Sequence, residues 1–418
     1  MKRLLFALFG VACAGLSVMA ECTVSSVSVS QEWPWSPKVQ IAVVLSGEGK
    51  TDIALSATWA GRSEPLELCG MNGLEGSTFQ LSAGTSYLAW DPRAAGVTDT
   101  LEDFAVTVET SASNARKYLV VDLVNGGYEY MAEVPSGGFT QDVYKTTKMA
   151  FRRIPATTFT MGLSDAYIDG TLGSSSCLNF SAALKQSARA HQVTLSSDYY
   201  MAVFPTTRSQ YAQVNGGTDS SKKAASSGVN VSVVRGDPFD ATSPIQWPTT
   251  AHRVADGSWL AKLRAKCNGA LLFDLPTEAQ WENAARCGTT TLFDIGGAAG
   301  DDFDTVIKDL IDRVAMNATE SDVGLLEANA FGLYNTSGFP REACLDVSVN
   351  TLSDATDPIG GIPVGGGNDR VVLRGGLTTN NYSQHRIPEN RSVGAYKDET
   401  SDSSYGFRVC VHLKPLVK

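Results

Sequence analysis

Phe273-Asp274-Leu275-Pro276-Thr277-Glu278-Ala279-Gln280-Trp281-Glu282-Asn283-Ala284-Ala285-Arg286 is the stretch that decides the fold of this chain. It contains a helix start. Thr277 is the expected N-cap, and Gln280, three residues on, gives a capping box in which side chain and backbone exchange hydrogen bonds. Pro276 keeps the entering chain extended. Trp281, Ala284 and Ala285 then share one helical face and are expected to turn inward.

Working outward, Phe159-Thr160-Met161-Gly162, His191-Gln192-Val193-Thr194-Leu195, Tyr199-Tyr200-Met201, Pro205-Thr206-Thr207 and Gln210-Tyr211 precede this stretch. Asn329-Ala330-Phe331-Gly332-Leu333-Tyr334-Asn335, Arg374-Gly375-Gly376 and Gly406-Phe407-Arg408-Val409 follow it. Each piece alone is weak, but chance matches do not keep a common order over roughly 250 residues. Together they resemble the formylglycine-generating-enzyme (sulfatase-modifying factor) family. The resemblance implies an α+β domain with a C-type-lectin-like fold, few regular elements and long loops. The loop-rich stretches 165–187, 215–243, 296–305 and 346–369 fit that expectation, since long ordered loops bind something or form a fold's surface.

The chain of 418 residues has room for two or three domains, and 43% hydrophobic with 19% charged residues is the profile of a globular protein with a sizeable core. Met1-Lys2-Arg3, the apolar run from Leu4 to Leu16 and Val18-Met19-Ala20 read as a signal peptide over residues 1–20. The mature protein is therefore expected to be secreted, or periplasmic or cell-surface. A lipoprotein reading would use Cys13, with Gly10 where such signals prefer Leu. No later apolar run is long enough for a transmembrane helix. Loss of Lys2 and Arg3 would take the formal charge from −10 to −12. An acidic surface repels phosphate backbones, so nucleic acid is not an expected partner.

Residues 21–136 read as a small all-β sandwich, immunoglobulin-like in style, with alternating or apolar runs at 26–30, 39–45, 53–60, 104–110 and 118–124. Residues 137–146 read as a linker, from the breakers in Pro135-Ser136-Gly137-Gly138. The family-like domain is then 147–418, with a first strand at Met149–Pro155 and a further helix at Ser258–Arg264.

Enzymes of this family oxidise a substrate cysteine to formylglycine with two copper-binding cysteines placed shortly after the Arg-Gly-Gly strand. Here those two positions fall on Asn380 and His385, and no cysteine lies between Cys344 and Cys410. An amide and an imidazole do not replace the soft thiolates that hold Cu(I). Copper and the oxidase activity are therefore not expected. Of His191, His252, His385 and His412, His385 lies near Glu389, but no second histidine is spaced for a facial triad. No Gly-x-Ser-x-Gly elbow, Walker loop or dinucleotide fingerprint is present.

Asn335-Thr336-Ser337-Gly338-Phe339-Pro340-Arg341-Glu342 is similar to the family's calcium loop. The resemblance implies side-chain oxygens from Asn335 and Glu342 and backbone carbonyls from Gly338 and Pro340, a mixture suited to calcium. Phe339 and Arg341 depart from the family's Asn and Trp, and the alternative is a turn with an Arg341 salt bridge. The resemblance also implies a Cys267–Cys410 disulfide, although Cys410 lies one residue later than usual. The functional expectation is a catalytically silent domain that binds a protein, peptide or glycan ligand through Thr378, Asn380, Asn381, Tyr382, His385 and Arg386. The alternatives are an enzyme of unrecognised chemistry in the same cleft, or a hypervariable-type ligand-binding receptor. The Asn-, Tyr- and Ser-rich runs at 378–383 and 398–405 suit the last of these.

Overall fold

The computed structural model describes residues 22–31, 38–66, 74–75, 78, 81–90, 92, 97, 101–112, 116–166, 189–225, 234–235, 254–291, 294, 296, 301, 309, 313, 321–338, 340–347, 353–360, 370–375, 392–395 and 405–413. The signal-peptide stretch 1–20 lies outside them.

The N-terminal sheet holds β1 (Cys22–Gln31), β2 (Val39–Trp59), β3 (Arg62–Leu66), β4 (Leu74–Glu75), β5 (Leu81–Trp90) and β6 (Ala105–Ala112). β2 joins it together. Its first half pairs with β1 and β5, its second half with β3 and β6. Val39, Ile41, Val43 and Leu45, then Ile53, Leu55, Ala57 and Trp59, are buried on alternate positions, as a half-buried strand requires. Between the halves, Gly47 and Gly49 take positive φ values of 125° and 83°, which few other residues adopt without strain. In β1 the register shifts between Val24 and Ser26. That bulge is why Val24, Val27 and Val29 all pack on the core despite their uneven spacing.

A second six-stranded sheet runs in the order β13-β19-β12-β9-β7-β8, with β7 Tyr118–Asp122, β8 Tyr128–Met131, β9 Lys148–Ile154, β12 Tyr199–Ala202, β13 Phe273–Asp274 and β19 Cys410–His412. The remaining strands form two smaller sheets. One contains β10 (Thr157–Met161), β11 (His191–Leu195) and β15 (Ala355–Thr356). The other contains β14 (Arg341–Val347), β16 (Arg370–Arg374), β17 (Ser392–Ala395) and β18 (Tyr405–Phe407). Four helices are described: α1 (Val143–Thr146), α2 (Arg208–Val214), α3 (Trp259–Lys266) and α4 (Glu278–Arg286). Mixed sheets with few helices make an α+β architecture. No helix among the described residues is long and apolar enough to cross a membrane.

The second six-stranded sheet is covered on both faces. Leu119, Val121, Met149, Phe151, Tyr200, Phe273 and Val411 share one core with Trp259, Leu260 and Leu263 of α3 and with the N-terminal sheet. On the other face, Ile154, Tyr199, Met201 and Cys410 pack with Ala279 and Ala284 of α4. Each large apolar side chain so buried contributes about 1.5–3 kcal/mol. The expected helix starts are present. Ser258 accepts from the Ala261 amide at 3.2 Å, and Thr277 and Gln280 exchange both capping-box bonds.

Two expectations about the domain boundary are corrected. Tyr118–Asp122, placed in the N-terminal sandwich by its apolar run, pairs instead with β9. Residues 137–146 do not act as a loose linker. Phe139 is buried, with its ring centroid 5.1 Å from those of both Tyr118 and Tyr144, because an aromatic anchor outweighs the surrounding breakers. The N-terminal sheet is tied on by a buried ion pair: Arg153 Nη1 lies 2.8 Å from Asp52 Oδ2. Arg153 Nε is 3.5 Å from Asp198 Oδ2.

Candidate functional site

The signature helix α4 carries a buried polar network. Glu282 accepts from the Gly162 amide at 2.7 Å and from Arg286 Nη1 at 2.8 Å, and its other oxygen accepts from Arg374 Nη2. Arg374 also donates to Glu278 at 3.2 Å and lies over the Trp281 ring. Burial by itself would push the Glu282 carboxyl up, but Arg374, Arg286 and the Gly162 amide outweigh it and hold the group below its ordinary range. An ionised carboxylate engaged on both oxygens, held by two guanidinium groups and sealed from solvent, is a structural anchor.

Next to it, Glu342 is sealed from solvent. Its Oε1 accepts from Arg408 Nη2 at 2.7 Å, and its Oε2 accepts from Arg408 Nε at 2.9 Å and Trp281 Nε1 at 2.6 Å. This bears on the expected calcium loop. Asn335, in a left-handed backbone conformation, accepts from the Gly324 amide with its side-chain oxygen at 2.9 Å. The Gly338 and Pro340 carbonyls face the Gly375 α-carbon, where an added Cβ would meet them at 3.6 and 3.4 Å. Both side-chain oxygens of the expected set are therefore already accepting hydrogen bonds, and Glu342 is neutralised by a guanidinium. Arranged so, Asn335, Gly338, Pro340 and Glu342 do not fit a calcium shell, because the dication would sit against the Arg408 charge. Among the described residues no cluster of three His, Cys, Asp or Glu could hold a metal ion.

The disulfide expectation is corrected too. Cys267 and Cys410 are both thiols, and no bridge joins them. Cys410 sits on β19 among Ile154, Met201 and Ala279 on the α4 face, whereas Cys267, at the end of α3, lies in the core on the opposite face with Val409 and Val411. Successive strand side chains point to opposite faces, so the one-residue displacement of Cys410 carries its sulfur to the wrong side of the sheet. Cys287 and Cys344 are not poised as nucleophiles. Burial pushes Cys287 up to about 12 and Cys344 well above its ordinary range, which keeps both protonated near neutrality.

Thr378, Asn380, Asn381, Tyr382, His385 and Arg386 lie outside the described residues. What the structure gives is their point of departure. β16 is hydrogen-bonded on both sides, to β14 and β17, and ends at the doubly paired Arg374. The chain therefore enters that segment from a fixed position. Arg374 and Arg408 are buried network members that the motif reading left without a role. The available signal was a charge inside an apolar run, Val371-Val372-Leu373-Arg374 and Phe407-Arg408-Val409, since buried charges must be paired.

Among curated proteins, none matches the chain. Among solved structures, the crystal structure of CarF is similar over 63% of this chain and 97% of its own, at 16% identity and a TM-score of 0.35. The sulfatase-modifying factor enzyme 1-like domain matches residues 139–413, well over half of the sequence. That span includes the capped helix, its Arg374 anchor and the Glu342–Arg408 pair, and the chain belongs to the sulfatase-modifying factor enzyme 1-like domain family.

Proposed function

We propose that this chain is an exported member of the family that has lost the oxidase chemistry and serves as a binding module. The observation that carries the reading is the absence of any cysteine between Cys344 and Cys410, with Asn380 and His385 in the two family positions. A Cu(I) site of this type needs two thiolates, and neither residue supplies one. The finer architecture of the reading is a C-type-lectin-like fold for the family domain, with an immunoglobulin-like sandwich in front of it. The ligand-presenting surface is the segment that begins with Thr378, Asn380 and Asn381 and continues through Tyr382, His385 and Arg386. Its occupant is a protein, peptide or glycan.

The test is incubation of the purified protein with a sulfatase-type cysteine peptide and copper, with peptide mass read over time. The expected result is no conversion of the thiol to the aldehyde. Aldehyde formed in proportion to added copper overturns the reading. A hypervariable-type receptor is the second reading, favoured by the composition of 378–383 and 398–405. Sequencing sibling copies of the gene for variation confined to those runs separates it from the first.

A further inference from the structure

Among the described residues, Arg152 lacks the carboxylate partner that the fully buried arginines hold. The described arginines Arg153, Arg235, Arg286, Arg374 and Arg408 are all buried, and each holds a carboxylate in an ion pair. Arg152, half-buried on β9, has none among the described residues. Its Nε is buried and donates to no acceptor. Its Nη1 reaches only the Lys117 carbonyl, at a long 3.5 Å. Its guanidinium carbon lies 5.3 Å from the Tyr118 ring centroid and 6.0 Å from that of Phe331. Burial pushes its pKa down, as expected for a cation taken partly out of water without a counter-charge.

Other donors stand beside it. Tyr118 is the cross-strand partner of Arg152 on β7. Lys117 places its ammonium 5.6 Å from the centroid of the same Tyr118 ring and makes no ion pair among the described residues. The Tyr118 ring is packed, and its hydroxyl has no hydrogen-bond partner among the described residues. Glu133, whose charge acts on Tyr118, is exposed. The C-terminal end of α4, at Cys287, contributes about half a negative charge at most, and its last turn already carries Arg286. Ring stacking offsets part of the desolvation of Arg152 but leaves its buried Nε–H without an acceptor.

We propose that Arg152, Lys117 and the Tyr118 hydroxyl form a binding site for a compact oxyanion, a carboxylate or phosphate group, on the α4 face of the sheet. A planar guanidinium receives two oxygens side by side, the ammonium adds a point charge, and the phenol donates a third hydrogen bond. The site uses no residue of the 378–386 segment and does not depend on the loss of oxidase chemistry.

Calorimetric titration of the full chain with inorganic phosphate and with acetate, at constant ionic strength set by chloride, tests it. Saturable one-site binding of at least one anion is expected, and the preferred anion identifies the group. Arg152→Met should weaken binding about tenfold or more, and Lys117→Gln and Tyr118→Phe by several-fold each, on the strength of charge-assisted hydrogen bonds. Glu133→Gln should tighten it. Tyr118→Phe removes one oxygen and leaves the ring packing intact, so it carries the test if Arg152→Met fails to fold. No saturable heat with either anion, or equal affinity in the Lys117→Gln and Tyr118→Phe variants and the parent, overturns the proposal.

Discussion

Arg408 grips both oxygens of Glu342, Nη2 to Oε1 at 2.7 Å and Nε to Oε2 at 2.9 Å, with both side chains sealed from solvent. Its remaining donors hold the Ala202, Val203 and Tyr334 carbonyls, so one guanidinium ties together β12, the loop before β14 and β14 itself. Removing one partner leaves a buried charge alone. Arg408→Met should cost about 3–5 kcal/mol, a large share of the stability of an ordinary domain. Arg408→Met combined with Glu342→Leu should cost less than Arg408→Met alone. Urea denaturation midpoints of the two variants check this, and a double variant weaker than the single one would count against a mutual pair.

The acid response has two opposing contributions. Glu282 has a depressed folded pKa, so its stabilisation is fully present above the ordinary glutamate value of about 4.3 and is lost as pH falls through the folded value. Asp198 has the opposite sign. Burial raises its pKa, so its contribution is complete below the ordinary aspartate value of about 3.9 and is lost as pH rises through the folded value. Glu282→Gln should therefore destabilise at neutral pH, with the deficit shrinking in acid. Asp198→Asn keeps an acceptor for the Ala156 amide and should be neutral or mildly stabilising at pH 7. Denaturation midpoints across pH 3–7 read both signs.

Asp52 and Arg153 join the N-terminal sheet to β9 at 2.8 Å, both out of solvent. Asp52→Ala should destabilise by about 3–5 kcal/mol because the buried Arg153 loses its shorter ionic contact and keeps the longer one to Asp198. If the pair is what seats the sheet, limited proteolysis of Asp52→Ala should cut the N-terminal strands before β9. Cleavage kinetics identical to the parent would show that the apolar contacts suffice.

Thr277→Ala removes the side-chain cap on the Gln280 amide and should cost about 1 kcal/mol, as other N-cap replacements do. Thr277→Ser should retain most of the stability. Thermal unfolding of the two variants distinguishes a cap from simple packing.

Dithiothreitol should leave the melting temperature unchanged as far as Cys267 and Cys410 are concerned. Alkylation after denaturation without reductant should label both. Recovery of a linked Cys267–Cys410 peptide would require the end of β19 to turn over, and would contradict the strand register with Met201 and Asp274.

The sequence reading located the capped helix because a capping box is local: Thr277 and Gln280 interact across three residues. The same logic applies to Thr207 and Gln210, which form a second capping box and tie α2 to the Tyr144 and Lys148 carbonyls. β1 and β2 were legible from alternation. The misplacement of Tyr118–Asp122 has a clear cause. A run buried on both faces, as Tyr118 to Val121 are, has no period that says which sheet it belongs to. The Cys267–Cys410 expectation rests on matching family positions, whereas strand parity decides which face of the sheet each sulfur takes. Ionic partners such as Glu342 with Arg408, 66 residues apart, are set by tertiary contact, and residue types alone do not pair them.

Because β7 and β8 complete the sheet built on β9, the smallest excisable unit is larger than the family match suggests. A fragment starting at residue 139 would discard both strands and leave Lys148–Ile154 as a bare edge, its amides and carbonyls open to any passing strand. A fragment starting at Arg116 keeps that edge covered. The two strands ahead of the family boundary thus act as a shield against self-association.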